Sequence, residues 1–167
     1  MNNNELLSYN TTDKSSQQAE KLFSLIDKSL SEADCKLTDI DIVSVTSGPG
    51  SFTGVRIGLS SALGMQMGCE AEFIAMSNFQ VLAWLASQKN PKDHIAVILD
   101  ARRDQVYLQI FNENLESLGE AKAVDISSIE SHLPKDVSLS FVGDGMKLLP
   151  QLKTKEELII NVSAEIL

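Results

Sequence analysis

The spacing of hydrophobic residues divides the chain into alternating strands and helices. Apolar residues at intervals of three and four predict an early amphipathic helix ending near Ala33, and they are Leu22, Leu25, Ile26 and Leu30. Short runs rich in β-branched residues predict strands. The predicted strands are 6–11, 39–45, 73–76, 95–99, 105–111, 139–142 and 158–162, with an edge strand in 120–125, and the further helices are 52–67, 78–87 and 126–133. This alternation is typical of an α/β fold with a largely parallel or mixed sheet.

Two local signals refine this pattern. Ser15 and Gln18 have the spacing of a capping box, which places the start of the first helix near residue 15. The polar segment 89–93 contains Pro91 and separates two runs of predicted elements. We therefore expect an N-terminal lobe over residues 1–89 and a C-terminal lobe over residues 90–167.

The most informative segment is the glycine-rich loop at residues 47–54 and the helix after it. Small residues recur along that helix, at Gly54, Gly58, Ser61, Gly64 and Gly68. At roughly 100° per residue they share about one third of the helix circumference, and Arg56 lies almost opposite Gly54. Each interior glycine costs about 0.5–1 kcal/mol relative to alanine. A close approach by another backbone would compensate for this cost, and spacing alone leaves open whether this chain's first helix or another protein supplies it.

The loop also resembles a phosphate cradle at a helix N-terminus. A Walker A loop requires a lysine after its second glycine, and here Val55 follows Gly54. A dinucleotide fingerprint has the spacing GxGxxG, whereas this loop reads GxGxxxG, and the next predicted strand ends at Met76 without an acidic residue. Both nucleotide templates therefore fail at the level of sequence.

Composition narrows the remaining functions. The net charge of −9 disfavours direct binding to a nucleic-acid backbone, while 43% hydrophobic residues favour a folded core. Neither histidine has a metal-ligand spacing, and we expect Cys35 and Cys69 to be reduced thiols. We expect no catalytic residue and no metal site. The segment between Asp100 and Asp104 is interpreted as an arginine-balanced turn, with paired catalytic carboxylates as the alternative.

Four segments carry a resemblance to a known family. Residues 48–58 (GPGSFTGVRIG) resemble the signature of the bacterial TsaB (YeaZ) proteins. Residues 77–83 (SNFQVLA), 99–107 (LDARRDQVY) and 141–145 (FVGDG) are similar to further segments of that family, in the same order and spacing. The similarity extends over about residues 5–167.

The resemblance implies an actin-like ATPase (RNase H-like) fold with two small lobes. It implies a non-catalytic subunit that binds and stabilises TsaD, which transfers a threonylcarbamoyl group to the tRNA adenosine beside the anticodon. TsaE and TsaC are the further partners implied, and tRNA is reached only through the complex. ATP and metal are expected on the partner subunits, with no cofactor in this chain, which is expected in the cytoplasm and not in a membrane. A homodimer through the same helices is also implied.

The resemblance assigns a partner interface to the first two helices, at about residues 15–31 and 52–67. The interface residues are Leu22, Leu25, Ile26, Gly54, Gly58, Ser61, Gly64, Met65 and Gly68. The loop residues expected to shape it are Gly48, Pro49, Gly50, Ser51, Phe52, Thr53 and Arg56. Family members begin with two strands that have no counterpart here and end with a further helix, so the chain is expected to be truncated at both ends.

Two other functions are kept beside this one. The first is a small nucleotide-binding phosphotransferase or hydrolase that uses the loop from Gly48 to Gly54, and ATP binding by the chain would reveal it. The second is a degenerate, inactive relic, which a cooperative thermal transition would argue against.

Overall fold

A computed structural model describes residues 5–12, 18–89, 94–152 and 157–158. Within these, residues 5–47 with 51–76 form one compact unit, and residues 48–50 with 77–158 form another. The helices are α1 (Gln18–Glu32), α2 (Phe52–Cys69) and α3 (Asn78–Ser87). The strands are β1 (Ile42–Thr46), β2 (Glu72–Met76), β3 (His94–Arg102), β4 (Gln105–Phe111), β5 (Lys122–Asp125), β6 (Leu139–Val142) and β7 (Glu157–Leu158).

The predicted strand at residues 6–11 is wrong. This segment carries no strand and instead follows the C-terminal half of α1. The Ser8 hydroxyl donates to the Ser29 carbonyl at 2.8 Å, and the Asn10 amide donates to the Glu32 carboxylate at 2.8 Å. These polar side chains bond the segment to the helix. The predicted capping box at Ser15 and the segment 159–162 lie outside the described residues.

The first unit is a small α/β layer. β1 and β2 pair in parallel, with Val43 opposite Phe73, and α2 covers one face of the pair. Val43, Ala62 and Ala71 are buried at its centre. The small volume of these residues lets α2 lie close to β1, and it gives this unit a thin core.

The second unit is a five-stranded mixed sheet in the order β5-β4-β3-β6-β7. β3 is antiparallel to β4 and parallel to β6. Alternate β3 residues face opposite sides, because successive side chains of a strand alternate. Ile95 and Val97 pack with α3, whereas Ala96 and Ile98 pack with the 3-10 helices that follow β5 and β6.

The helix α3 belongs to this second unit, whereas the sequence placed it in the first lobe. Four of its five buried residues, Phe79, Leu82, Ala83 and Ala86, share an apolar cluster with β3 and β6. The described residues on both sides of the predicted boundary, up to Lys89 and from His94 onward, therefore belong to one unit. Residues 126–133, predicted as a helix, contain a 3-10 helix at Ile126–His132.

Candidate protein-interaction site

The helix α2 begins with a side-chain cap. Ser51 is its N-cap residue, and the Ser51 hydroxyl oxygen accepts a hydrogen bond from the Gly54 N–H at 3.4 Å. This satisfies one of the amide groups left free at a helix start. The same amide is one that a phosphate would need at this position. The capped geometry therefore favours the loop as a structural turn.

The loop before α2 is fastened through its carbonyl groups. The Asn78 N–H donates to the Gly48 carbonyl at 2.7 Å, and the Asn78 side-chain amide donates to the Pro49 carbonyl at 2.7 Å. Asn78 itself opens α3, whose N-cap Ser77 forms a capping box with Gln80. The loop carbonyls are thus occupied by the N-terminus of α3.

An apolar groove lies between α1, β1 and α2 and has a volume of about 380 Å³. Five predicted interface residues line it, namely Leu22, Ile26, Gly58, Ser61 and Met65. Leu30 of α1, Ile40, residues 42–45 of β1 and Ala62 of α2 form the rest of its lining. This groove joins both predicted interface helices in the first unit. The predicted interface residue Leu25 is half-buried and does not line it.

The remaining predicted glycines are not in the groove. Gly54, Gly64 and Gly68 are exposed. A Cβ built on Gly64 would meet nothing within 4 Å, and one on Gly58 would meet Val45 of β1 at 3.8 Å. Among the described residues, α1 supplies no atom within 4 Å of a Cβ at any glycine of α2. Close packing by α1 is therefore not what the glycines of α2 serve.

Large side chains are exposed on another side of α2. Phe52 and Arg56 were predicted as loop residues that shape the interface, whereas Leu63 and Met67 were not predicted to lie in it. Phe52, Leu63 and Met67 are 69%, 46% and 80% exposed. The Arg56 guanidinium carbon lies 3.8 Å above the centre of the Phe52 ring. These four residues are called the outer stripe. Their spacing of four, seven and four residues marks one helix face and was visible in the sequence.

The carboxylates considered as catalytic candidates take part in hydrogen bonds and an ion pair that hold the turns. The Asp100 carboxylate accepts from the Arg102 N–H at 2.7 Å and lies 3.5 Å from the Arg102 guanidinium, which supports the arginine-balanced turn. The Asp144 carboxylate accepts from the Asp100 N–H at 3.0 Å. Gly143 and Gly145 lie against the backbone of β3 at Ile98, where a Cβ would clash.

Cys35 and Cys69 are free thiols. In the described ranges, no three His, Cys, Asp or Glu side chains gather where a metal ion would fit. Nor does any described helix have the length and apolarity needed to cross a membrane.

Comparisons with known proteins cover most of the chain. The family model described as TsaD, tRNA N6-adenosine threonylcarbamoyltransferase, matches residues 11–165. The Escherichia coli tRNA threonylcarbamoyladenosine biosynthesis protein TsaB is 28% identical over 87% of this chain and 65% of its own length. The TsaB of Buchnera aphidicola from Schizaphis graminum is 30% identical over 87% of this chain and 73% of its own length. The chain thus spans about two-thirds of these relatives.

The fold has a counterpart among solved structures. A Pseudomonas aeruginosa protein with similarity to the peptidase YeaZ superposes with a TM-score of 0.72 at 23% identity, covering 87% of this chain and 69% of that one. This likeness confirms the predicted actin-like, RNase H-like α/β fold. It extends over both units of the described chain.

Proposed function

Because this chain belongs to the TsaB (YeaZ) family, we propose that it is a non-catalytic subunit in the biosynthesis of threonylcarbamoyladenosine in tRNA. Its role is to bind and stabilise TsaD, the transferase of the pathway. The observation that carries this proposal is the open apolar groove between α1, β1 and α2, flanked by exposed glycines. A partner helix that enters beside small residues can bury apolar area while its backbone approaches closely.

The absence of a catalytic role for this subunit is part of the proposal. The Ser51 hydroxyl is engaged as a helix cap, and the Asp100 carboxylate is engaged within its own turn. Neither group is arranged as a nucleophile beside a base. Under this proposal ATP, metal and tRNA are bound by the other subunits, TsaE and TsaC are further partners, and the complex is cytoplasmic.

Co-purification with TsaD tests the partner. We expect tagged TsaD from the same genome to retain this chain, and Ser61→Leu to reduce the retained amount at least tenfold. Leucine at position 61 would fill the groove that the partner enters. Ser117→Leu is the matched control, since Ser117 is an exposed serine of the second unit.

The outcomes test two claims separately, namely that TsaD is the partner and that the groove is its binding site. Failure of the parent chain to bind TsaD would contradict the proposed partner. If TsaD retained equal amounts of the Ser61→Leu and Ser117→Leu proteins, TsaD would remain the partner, and the groove would be refuted as its binding site. The circular dichroism spectrum of each variant confirms that the helices form in both.

A further inference from the structure

A bulge interrupts the pairing beside β4 in the second unit. Lys122 of β5 lies opposite Leu108, so a regular antiparallel ladder would place the residue two positions before Lys122 opposite Ile110. Instead, the Ile110 carbonyl accepts a hydrogen bond from the Leu118 N–H at 2.8 Å, four positions before Lys122. Residues 119–121 therefore lie outside the ladder. Bulges of this kind often lie beside binding sites, because they redirect the neighbouring side chains.

A cavity of about 360 Å³ opens at this bulge. Its apolar part is formed by Leu108 and Ile110, which are buried, and by Leu118, which is half exposed. Gly119 lies at the cavity with a φ of +95°, and a Cβ built on it would meet nothing within 4 Å. Cavities that hold small molecules usually measure about 300–1,000 Å³, so this one has room for a small ligand.

Three polar side chains line the same cavity, namely those of Glu120, Lys122 and His132. Lys122 shares a face of the sheet with Leu108, because residues directly opposite each other in an antiparallel pair point to the same side. The 3-10 helix that ends at His132 packs on that face through Ile129. Among the described residues, none of the three polar side chains forms a hydrogen bond or an ion pair with another part of the chain. Their charges and donors are therefore available to a ligand.

The cavity presents charges of both signs. The Lys122 ammonium is a cation, the Glu120 carboxylate is an anion, and the His132 imidazole has an N–H that can donate. A purely anionic ligand would be repelled by Glu120, and a purely cationic ligand would be repelled by Lys122. A molecule that carries both a carboxylate and an ammonium group matches both residues. An aliphatic group on that molecule would cover the apolar part of the cavity.

We propose that this cavity binds a free α-amino acid with an aliphatic side chain. The ligand carboxylate lies at Lys122 and His132, where it accepts charge-assisted hydrogen bonds. The ligand ammonium lies at Glu120, and the aliphatic side chain lies over Leu108 and Ile110. The cavity shares no residue with the groove between α1, β1 and α2, so this inference goes beyond the proposed function and does not depend on it.

Titration of the full chain with L-leucine, followed by the NMR signals of its backbone amides, tests the site. A ligand of this size in an open cavity should bind with a Kd of about 1 mM. We expect the amide signals of residues 118–122 to shift with that Kd. Isocaproate is L-leucine without the ammonium group, and isoamylamine is L-leucine without the carboxylate. Each of these two analogues should bind about tenfold more weakly than L-leucine, because each loses one charged contact.

Substitutions at the two charged residues test the orientation of the ligand. Lys122→Met should raise the Kd for L-leucine about tenfold, whereas Lys147→Met, at an exposed lysine outside the cavity, should leave it unchanged. Glu120→Gln should weaken L-leucine but strengthen isocaproate, because it removes both the contact with the ammonium group and the repulsion of a lone carboxylate. Glu113→Gln is the matched control, at an exposed glutamate outside the cavity. All four side chains are exposed, so the fold should tolerate these changes, and the amide spectrum of each variant verifies it.

Three results would overturn the inference. If the signals of residues 118–122 did not shift with L-leucine up to about 20 mM, about twenty times the expected Kd, the cavity would not be an amino-acid site. Equal Kd values for L-leucine and isocaproate would refute the contact between the ammonium group and Glu120, and with it the α-amino acid as the class of ligand. An unchanged Kd in the Lys122→Met protein would refute the placement of the carboxylate. The titration contains no TsaD, so none of these results bears on the proposed partner.

Discussion

Two glycine-to-alanine substitutions should change stability in opposite directions. At Gly145, an added Cβ would lie 2.9 Å from the Ile98 side chain, 2.9 Å from the Leu99 carbonyl carbon and 3.0 Å from the Ile98 carbonyl oxygen. Two of these neighbours are backbone atoms of β3, which cannot rotate away. At Gly64, an added Cβ meets nothing within 4 Å, and the residue lies inside α2.

The magnitudes follow from these environments. Overpacking a close contact costs about 1–3 kcal/mol, so Gly145→Ala should lower the free energy of unfolding by about that amount. An alanine inside an exposed helix gains about 0.5–1 kcal/mol over glycine, so Gly64→Ala should raise it. For a chain of this size, about 1 kcal/mol corresponds to roughly 2–4 °C in Tm.

Urea unfolding monitored by two spectroscopic probes distinguishes the effect at Gly145 from the effect at Gly64. Trp84 lies on α3 of the second unit, so its fluorescence reports the unit that contains Gly145. Far-ultraviolet circular dichroism reports the helices of both units, including α2. A Gly145→Ala protein as stable as the parent by both probes would refute the close approach of this loop to β3. A destabilised Gly64→Ala protein would show that the face of α2 around Gly64 is covered.

Further substitutions test the caps and the loop. Ser77→Ala should cost about 1 kcal/mol, because the Ser77 hydroxyl caps α3 through the Gln80 N–H, and an unchanged urea midpoint would contradict this. Asn78→Ala should cost a similar amount, about 1 kcal/mol, since it removes the hydrogen bond to the Pro49 carbonyl. Asn78→Ala should also speed backbone amide exchange in the loop, as measured by mass spectrometry. Asn78→Asp is the matched variant, because aspartate keeps a polar side chain at the start of α3 but has no amide to donate to the Pro49 carbonyl. Calorimetry of the chain with ATP and Mg²⁺ should register no binding heat, because Ser51 engages the Gly54 amide, and micromolar binding would favour the nucleotide-dependent enzyme instead.

The sequence predicted those helices and strands whose signals, hydrophobic spacing and capping residues, lie within or next to the element itself. The bounds of α3 and the start of α2 are as predicted, because each helix begins after a serine N-cap that satisfies its first amides. The strands β3, β4 and β6 were found because β-branched and aromatic residues alternate or run together there. These signals are local, so a single sequence contains them.

Features that depend on neighbours were not predicted. Residues 6–11 have strand-like composition, yet a strand also requires a paired edge. Among the described residues this segment pairs with no strand, and Ser8 and Asn10 form hydrogen bonds to α1. Periodicity separated the faces of α2 without showing which face meets β1. The structure places Gly58 and Ser61 toward the groove and leaves Phe52 and Met67 exposed.

The parallel pair of β1 and β2 has a consequence for handling the protein. Among the described residues β1 pairs only with β2, and within them its other edge carries unpaired backbone groups beside Ile42, which is half exposed. An unpaired edge flanked by apolar residues is a template onto which further strands add. We expect the purified chain to lose monomer progressively as its concentration rises. Solubility would then be decided at five residues, Ile42–Thr46, rather than by the strong negative charge of the whole surface.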